Sequence, residues 1–223
     1  MAEISLASLL HQLPYFALST ADQLDNLVRH TVRRSFSSGQ IIYLEGDESS
    51  GLWILEAGRV KAYKLSPDGQ EFILRFFSPG DTFNELAALD LGPNPASTMA
   101  ITDVTAWVIP AQVFTAALKN DHALTLNVLH GLAGRVRDLV GRIEDLALRP
   151  VTARLARFLL EQIENPSLAH PAVTRALIAN HLATTPESIS RSLRTLEAAG
   201  AIRFDRHRII IENLDILRQQ AQL

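Results

Sequence analysis

The residues TTPESISRSL at positions 184–193 predict how the C-terminal part of the chain folds. Proline is tolerated in the first turn of a helix but not in its interior, so Pro186 after Thr185 marks a helix start. Apolar residues then recur at helical spacing and predict one stripe that faces a core. They are Ile189, Leu193 and Leu196.

A different face of this helix carries Glu187, Ser190 and Arg191. An acceptor, a hydroxyl and a planar guanidinium are the groups that read base edges in the major groove of DNA. A solvated face is the alternative interpretation, because an acidic residue is favoured at any helix N-terminus. The neighbouring elements decide between the two.

Those neighbours predict a winged helix-turn-helix. Thr174 precedes a first helix, RALIANHL at 175–182, and a tight turn at 183–185 separates it from the second helix, which Gly200 ends. The runs AIRF and RIII flank Asp205, Arg206 and His207 and predict a hairpin whose tip is basic. The expected DNA-binding residues are therefore Glu187, Ser190, Arg191, Thr185, Ser188, Arg194, Arg206 and His207.

The rest of the chain has two textures. Residues 1–30 look helical, with an N-cap expected within 19–22, whereas residues 32–110 contain short β-branched and aromatic runs between Gly and Pro turns. This second pattern predicts an antiparallel β domain. After Pro110 a helical pattern takes over and stops at Arg149–Pro150, beyond which residues 151–163 predict an amphipathic helix.

The helical segment carries a heptad seam, which requires a partner surface. A second copy of the chain is favoured over the chain's own β domain, because charged residues flank a narrow apolar stripe on both sides. The expected dimer interface is Leu129, Leu132, Val136, Leu139, Ile143 and Leu146.

Charge and composition exclude several classes of protein. Residues 1–148 hold 11 Lys+Arg against 17 Asp+Glu, and residues 149–223 hold 10 against 7, so a basic C-terminal part of +3 offsets −6 within the total of −3. This asymmetry suits a polyanionic partner. The absence of cysteine excludes disulfides, zinc–thiolate sites and thiolate-held iron–sulfur clusters. No membrane span, secretory signal or catalytic motif is found, so we expect a soluble cytoplasmic protein that is not an enzyme.

Three segments carry a family resemblance. IIYLEGDESSGLWILEAG at 41–58 resembles a cyclic-nucleotide-binding β-roll signature, PGDTFNEL at 79–86 resembles its pocket segment, and 187–191 resembles a Glu-x-x-Ser-Arg recognition motif. In this order they resemble the cyclic-AMP receptor protein and fumarate–nitrate regulator (CRP/FNR) family. The resemblance implies an α+β fold with an antiparallel β-roll sensory domain over 1–110, a dimerisation helix over 111–148 and a winged helix-turn-helix DNA-binding domain over 149–223.

The resemblance also implies a function. A homodimeric transcription regulator would bind double-stranded DNA at a TTGAT-like palindrome, with Arg191 on guanine O6 and N7 and with Ser190 and Glu187 on neighbouring bases. RNA polymerase is a further expected partner, and the β-roll would bind an unknown small-molecule effector. The competing hypothesis is a cyclic-nucleotide-binding module that acts only through protein partners.

The implied effector pocket departs from the pattern of the cyclic-AMP binders. These hold the phosphate with an Arg-Ser pair where this chain has Asn94 and Pro95, and they carry hydroxyl residues at the positions of Leu139 and Val140, where buried apolar groups would leave a purine unpaired. Cyclic AMP is therefore disfavoured. The implied pocket residues are Glu85, Leu86, Asn94, Ala96, Ser97, Leu139 and Val140.

The effector stays open between haem, another small molecule and none. Seven histidines could supply an axial haem ligand, but their spacing indicates no ligand pair, and His130 and His181 suit packing or solvent contact. The run YKLSPDGQEFIL at 63–74 resembles denitrification-type regulators, which favours haem and nitric oxide. An iron–sulfur cluster is excluded because it needs cysteine.

Overall fold

The computed structural model describes residues 6–164, 173–205 and 208–222. The chain divides into two compact units. The first comprises the described parts of Met1–Lys64 and Arg75–Asp138, and the second those of Leu65–Leu74 and Leu139–Leu223.

The first unit begins with two helices, α1 (Leu6–Gln12) and α2 (Ala21–His30), joined through a 3-10 turn at Pro14–Phe16. Thr20 caps α2: its hydroxyl accepts from the Gln23 amide, while the Gln23 side chain accepts from the Thr20 amide at 2.7 Å. This reciprocal box satisfies two donors that the first helical turn leaves unpaired. The predicted N-cap within 19–22 is confirmed.

Eight strands form two four-stranded antiparallel sheets, which confirms the β domain expected over 32–110. The sheet orders are β1-β8-β3-β6 and β2-β7-β4-β5. Gly51 precedes β3 at a φ of +132°, and a Cβ there would lie 1.9 Å from the Ile109 carbonyl oxygen, so only glycine fits. The strands are β1 (Val32–Phe36), β2 (Ile41–Tyr43), β3 (Leu52–Ala57), β4 (Val60–Leu65), β5 (Glu71–Phe77), β6 (Thr82–Phe83), β7 (Ser97–Ala100) and β8 (Val104–Ile109).

Aromatic rings fill the core of the β domain. Trp53 stacks on Phe83 with ring centroids 5.8 Å apart, and Phe77 lies 5.2 Å from Phe83 on another side. Such ring pairs add to the free energy gained from burying apolar area. Because Phe83 belongs to β6, this packing holds β6 in place, and it thereby positions α3 (Glu85–Asp90), which follows β6.

The segment 111–148, expected as one dimerisation helix, contains two helices, α4 (Ala111–Asn120) and α5 (His122–Leu148). Asp121 between them has extended backbone at φ −128° and is buried. Its carboxylate accepts from the Leu124 amide at 2.9 Å and from the Ser19 hydroxyl at 3.1 Å. The aspartate thus caps α5 and interrupts the helical pattern.

The second unit contains α6 (Val151–Glu164), α7 (Arg175–His181), α8 (Pro186–Ala198), an antiparallel hairpin of β9 (Ile202–Phe204) and β10 (Ile209–Ile211), and α9 (Leu214–Gln220). Ala183 takes a positive φ of 49° in the turn between α7 and α8, which makes this turn tight. The predicted helix-turn-helix and hairpin are confirmed. Sequence reasoning missed α9, which Asn213 caps through its side chain.

Candidate functional site

The N-terminal end of α8 is built by local capping. Thr185 accepts from the Ser188 amide at 3.3 Å, and Pro186 occupies the first turn. The predicted stripe faces the core, since all three of its side chains are fully buried. The stripe is Ile189, Leu193 and Leu196. The opposite face of α8 is consequently turned to solvent.

The predicted DNA-reading groups lie together on that face. Glu187 and Arg191 are exposed, and Ser190 is half-buried with its hydroxyl donating to the Pro186 carbonyl oxygen at 2.9 Å. The pKa of Glu187 is lowered by a hydrogen bond from its own backbone amide, then by the Thr185 hydroxyl and the Arg191 charge. The carboxylate is therefore ionised and can accept hydrogen bonds.

The remaining predicted residues of α8 have different surroundings. Ser188 is half-buried and accepts at 3.0 Å from the Arg191 guanidinium, which orients that side chain. Thr185 is exposed and serves as the helix cap, and Arg194 is exposed one turn further along α8. Ser188 and Thr185 thus support the geometry of the reading face from within the chain.

The hairpin lies beside this helix in sequence, but its expected tip, Arg206 and His207, falls outside the described residues. Asp205 connects the two described sides of the hairpin, because its carboxylate accepts from the Arg208 amide at 2.8 Å. Arg175 of α7 donates to the Asp205 carbonyl oxygen and lies 5.3 Å over the Phe204 ring. Sequence reasoning missed this anchor, since no local pattern links α7 to the hairpin.

In the β domain, Glu85 forms a buried ion pair with Arg135 of α5. The Glu85 side chain is 2% exposed and the Arg135 side chain 26%. Both guanidinium Nη atoms donate to the carboxylate, and one also donates to the Thr82 carbonyl oxygen at 3.0 Å. Glu85 therefore has a partner within the chain. The sequence had shown Arg135 only as one of the charges that flank the heptad stripe.

Asn94 is also engaged within the chain. It is 3% exposed, its amide oxygen accepts from Asn84 at 2.9 Å, and its amide nitrogen donates to the Leu44 carbonyl oxygen at 3.2 Å. Asn84, which has a left-handed φ of 67°, also donates to Ser49 at 3.1 Å. Uncharged amides thus connect the loop before β3 to the loop before β7.

The other predicted pocket residues divide by exposure. Ala96 and Ser97 are buried, and the Ser97 hydroxyl accepts from the Glu45 amide at 3.0 Å, whereas Leu86 is 56% exposed. Leu139 and Val140, which the sequence argument treats as buried, are 56% and 60% exposed in the single chain. Their burial concerns the dimer and stays a prediction, because the single chain leaves both side chains largely exposed.

The heptad seam of α5 is likewise exposed. Leu132 is half-buried and packs against the core that α1 and α2 share. The other five side chains are between 45% and 66% exposed. They are Leu129, Val136, Leu139, Ile143 and Leu146. An exposed apolar stripe of this length is uncommon on a helix that functions alone.

His181 is half-buried on α7, with its ring 5.4 Å from the Phe158 ring. Its Nδ1 lies 3.2 Å from the Ile73 carbonyl oxygen, and its Nε2 lies 3.2 Å from an Arg142 nitrogen. A neutral imidazole that donates from Nδ1 and accepts at Nε2 satisfies both contacts. Burial, followed by the Arg142 charge, lowers the pKa of His181 to about 3.

Within the described ranges, no group of three or more His, Asp or Glu side chains is arranged to hold a metal ion. None of the helices in those ranges is both long enough and apolar enough to cross a membrane.

Comparison with known proteins identifies a domain family in each half of the chain. A family model of the cyclic nucleotide-binding domain matches residues 33–121, and a model of the Crp-like helix-turn-helix domain matches residues 153–220. The chain belongs to the CRP/FNR family of transcription regulators. Family membership agrees with the α+β fold, and these regulators are not enzymes.

Individual relatives support the assignment to the CRP/FNR family. The chain is 26% identical over 194 residues to the CRP-like cAMP-activated global transcriptional regulator of Mycobacterium tuberculosis, covering 84% of this chain and 87% of that one. It is 27% identical over 207 residues to the fumarate and nitrate reduction regulatory protein of Escherichia coli, with coverages of 90% and 82%. The structure of FixK2 from Bradyrhizobium japonicum matches at a TM-score of 0.75 and 26% identity, covering 85% of this chain and 96% of that one.

Proposed function

We propose that this CRP/FNR regulator is a homodimer that recognises a TTGAT-like DNA palindrome through the face of α8 formed by Glu187, Ser190 and Arg191. The observation that carries the proposal is the geometry of this face. Glu187 and Arg191 are exposed and Ser190 is half-buried. The Ser188 hydroxyl accepts from the Arg191 guanidinium at 3.0 Å, which orients this side chain in the absence of DNA. A bidentate contact from Arg191 to guanine O6 and N7 contributes about 1–3 kcal/mol of discrimination against another base.

Dimerisation rests on the exposed seam of α5. The exposed seam side chains are already about half covered in the single chain, so each one that a second copy buries gains about 1 kcal/mol. Two copies related by a two-fold axis also present two copies of α8, which matches the symmetry of a palindrome. RNA polymerase is the further partner that a transcription regulator of this kind requires.

The signal received by the β domain is proposed to be a ligand other than cyclic AMP. The position expected to neutralise a cyclic phosphate holds Asn94, whose amide groups are bound to Asn84 and to Leu44. Glu85 is paired with Arg135, so its charge is already neutralised within the chain. Haem remains a candidate effector, but not through His181, since both of its ring nitrogens have partners. The same features count against a cyclic-nucleotide module that acts only through protein partners.

The test of DNA recognition is Arg191→Ala. We expect the wild type to bind a TTGAT palindrome roughly tenfold to a hundredfold more tightly than a control duplex in which the guanines are replaced. The variant should bind the two duplexes equally. Fluorescence anisotropy at fixed salt measures both affinities. Arg218→Ala on α9, an exposed arginine paired with Asp215 at 3.4 Å, is the control and should keep the preference. Equal discrimination by wild type and Arg191→Ala would refute the assignment.

The test of dimerisation is Leu139→Asp, which places a charge in the middle of the seam. The variant should sediment as a monomer in analytical ultracentrifugation, because a buried unpaired carboxylate costs more than the interface gains there. Arg137→Asp changes an exposed position off the seam and should leave the dimer intact. A dimeric Leu139→Asp protein would rule out this seam as the interface.

A further inference from the structure

The second unit contains a cleft that the proposed DNA recognition does not use. Its walls come from the C-terminal part of α5, from α6, from the end of α7 and from Phe72, all within the second unit. The cleft is partly open to solvent, so a small molecule can enter it.

The cleft combines an apolar surface with guanidinium groups. Phe158 is 2% exposed and, with the half-buried Phe72, gives the cleft an aromatic surface. Arg142 and Arg157 are held in place by partners within the unit, since Arg142 contacts His181 and Arg157 donates to Asp145 at 3.1 Å. The cleft is therefore organised before a ligand arrives, which reduces the entropy lost on binding.

Arg154 is the member of the cleft whose hydrogen bonding is incomplete. Its Nε is buried and has no hydrogen-bond partner among the described residues. No hydrogen bond or ion pair joins the Arg154 guanidinium to another described residue, so its terminal nitrogens are the donors that a ligand in the cleft can reach. An acceptor there would satisfy part of a charged group that is otherwise unpaired. A carboxylate matches a guanidinium edge because two parallel N–H···O bonds can form.

The formal charge of the walls indicates the charge of the ligand. Three guanidinium groups face two carboxylates, and His181 is neutral because burial and the Arg142 charge lower its pKa to about 3. One positive charge is left over, which suits a monoanion. The charged groups concerned are Arg142, Arg154, Arg157, Asp145 and Glu161.

We infer that this cleft binds a small organic monocarboxylate, with the carboxylate on Arg154 and the apolar part against Phe72 and Phe158. The inference goes beyond the proposed function, and it does not depend on which DNA sequence the regulator reads. It assigns the second compact unit a ligand site of its own, distinct from the predicted effector pocket around Glu85 and Asn94.

The probe for this site is benzoate, with benzamide as its neutral isostere and inorganic phosphate as a bare anion. Isothermal titration of the full chain should show saturable benzoate binding in the millimolar range or tighter. Benzamide and phosphate should each bind at least about tenfold more weakly, because one lacks the charge and the other the apolar part. Phosphate binding as tight as benzoate binding would overturn the assignment, as would the absence of saturable benzoate binding.

Location is tested with Arg154→Gln, which should weaken benzoate binding by about tenfold or more, against Arg218→Gln, which should not. Circular dichroism establishes that both variants fold. Should Arg154→Gln fail to fold, the Nε–Hε resonance of Arg154 in the wild-type protein replaces it and should move on titration with benzoate. Benzoate binding that leaves this resonance unmoved, or that survives Arg154→Gln unchanged, would overturn the proposal.

Discussion

Replacement of Arg135 by methionine should destabilise the first compact unit by about 3 kcal/mol. Arg135 donates to both carboxylate oxygens of Glu85 and, at 3.0 Å, to the Thr82 carbonyl oxygen. Methionine fills similar space with an unbranched side chain but offers no donor. The Glu85 carboxylate, 2% exposed, would then be left inside the protein without its counter-ion.

The magnitude follows from the burial of the two partners. Removal of one member of a fully buried ion pair costs about 3–5 kcal/mol, because the charge left behind is uncompensated. The lower end applies here, since Arg135 is 26% exposed and water can reach its site. Glu85→Gln should cost only about 1–2 kcal/mol, because its amide oxygen still accepts one hydrogen bond and the remaining charge on Arg135 is partly hydrated.

Urea unfolding followed by tryptophan fluorescence is the appropriate assay, since the chain's two tryptophans are Trp53 and Trp107 and both lie in the first unit. The double variant Glu85→Gln with Arg135→Met should cost less than the sum of the single changes, with a coupling of about 2 kcal/mol. Purely additive effects, or a cost below about 0.5 kcal/mol for Arg135→Met, would contradict the buried ion pair.

Acidification and one glycine substitution test the packing further. Neutral His181 accepts from Arg142, and its pKa is lowered to about 3. Below pH 6.5 the folded protein therefore binds fewer protons than the unfolded one. The free energy of unfolding of the second unit should fall by up to about 2 kcal/mol between pH 6.5 and about pH 5. Hydrogen exchange of its amides measures this slope, which His181→Gln should lack. Gly131→Ala places a Cβ 2.4 Å from the buried Tyr15 ring and should destabilise by about 1–3 kcal/mol in urea unfolding. Gly134→Ala, with open space around it, should stabilise by about 0.5–1 kcal/mol, and equal effects of the two would disprove the contact.

Helix starts, caps and apolar faces are the features that the sequence predicts best, because neighbouring residues determine them. Pro186 and Thr185 act within one helical turn, and the stripe from Ile189 to Leu196 repeats at a fixed period, so both were readable without the fold. The capping box at Thr20 and the glycine that ends α8 are local in the same sense. These features correctly predicted the start of α8 and its exposed face, because a helix start and an apolar face together determine which side chains point outward.

The features that were missed depend on contacts distant in sequence. Glu85 and Arg135 are separated by 50 positions, and nothing near either residue indicates the other. Arg175 reaches Asp205 across 30 positions for the same reason. The break at Asp121 was missed because helical residues surround it, while the Ser19 hydroxyl that helps to hold its carboxylate lies 102 positions earlier. Periodicity cannot report such contacts, since they form only when the fold closes the intervening chain.

The surroundings of Asn94 and Glu85 together argue against a cyclic nucleotide in the predicted pocket. A single substitution of a phosphate-binding arginine could leave a cavity that still accepts a nucleotide with lower affinity. Here the amide of Asn94 bonds to Asn84 and to Leu44, and a buried amide gives up such bonds only at the cost of desolvated, unpaired groups. Glu85 offers no unpaired charge either, because the Arg135 guanidinium already neutralises its carboxylate. A cyclic nucleotide would thus displace the satisfied contacts of Asn94 and find no cation there for its phosphate, which is why the signal for this regulator is sought in a different chemistry.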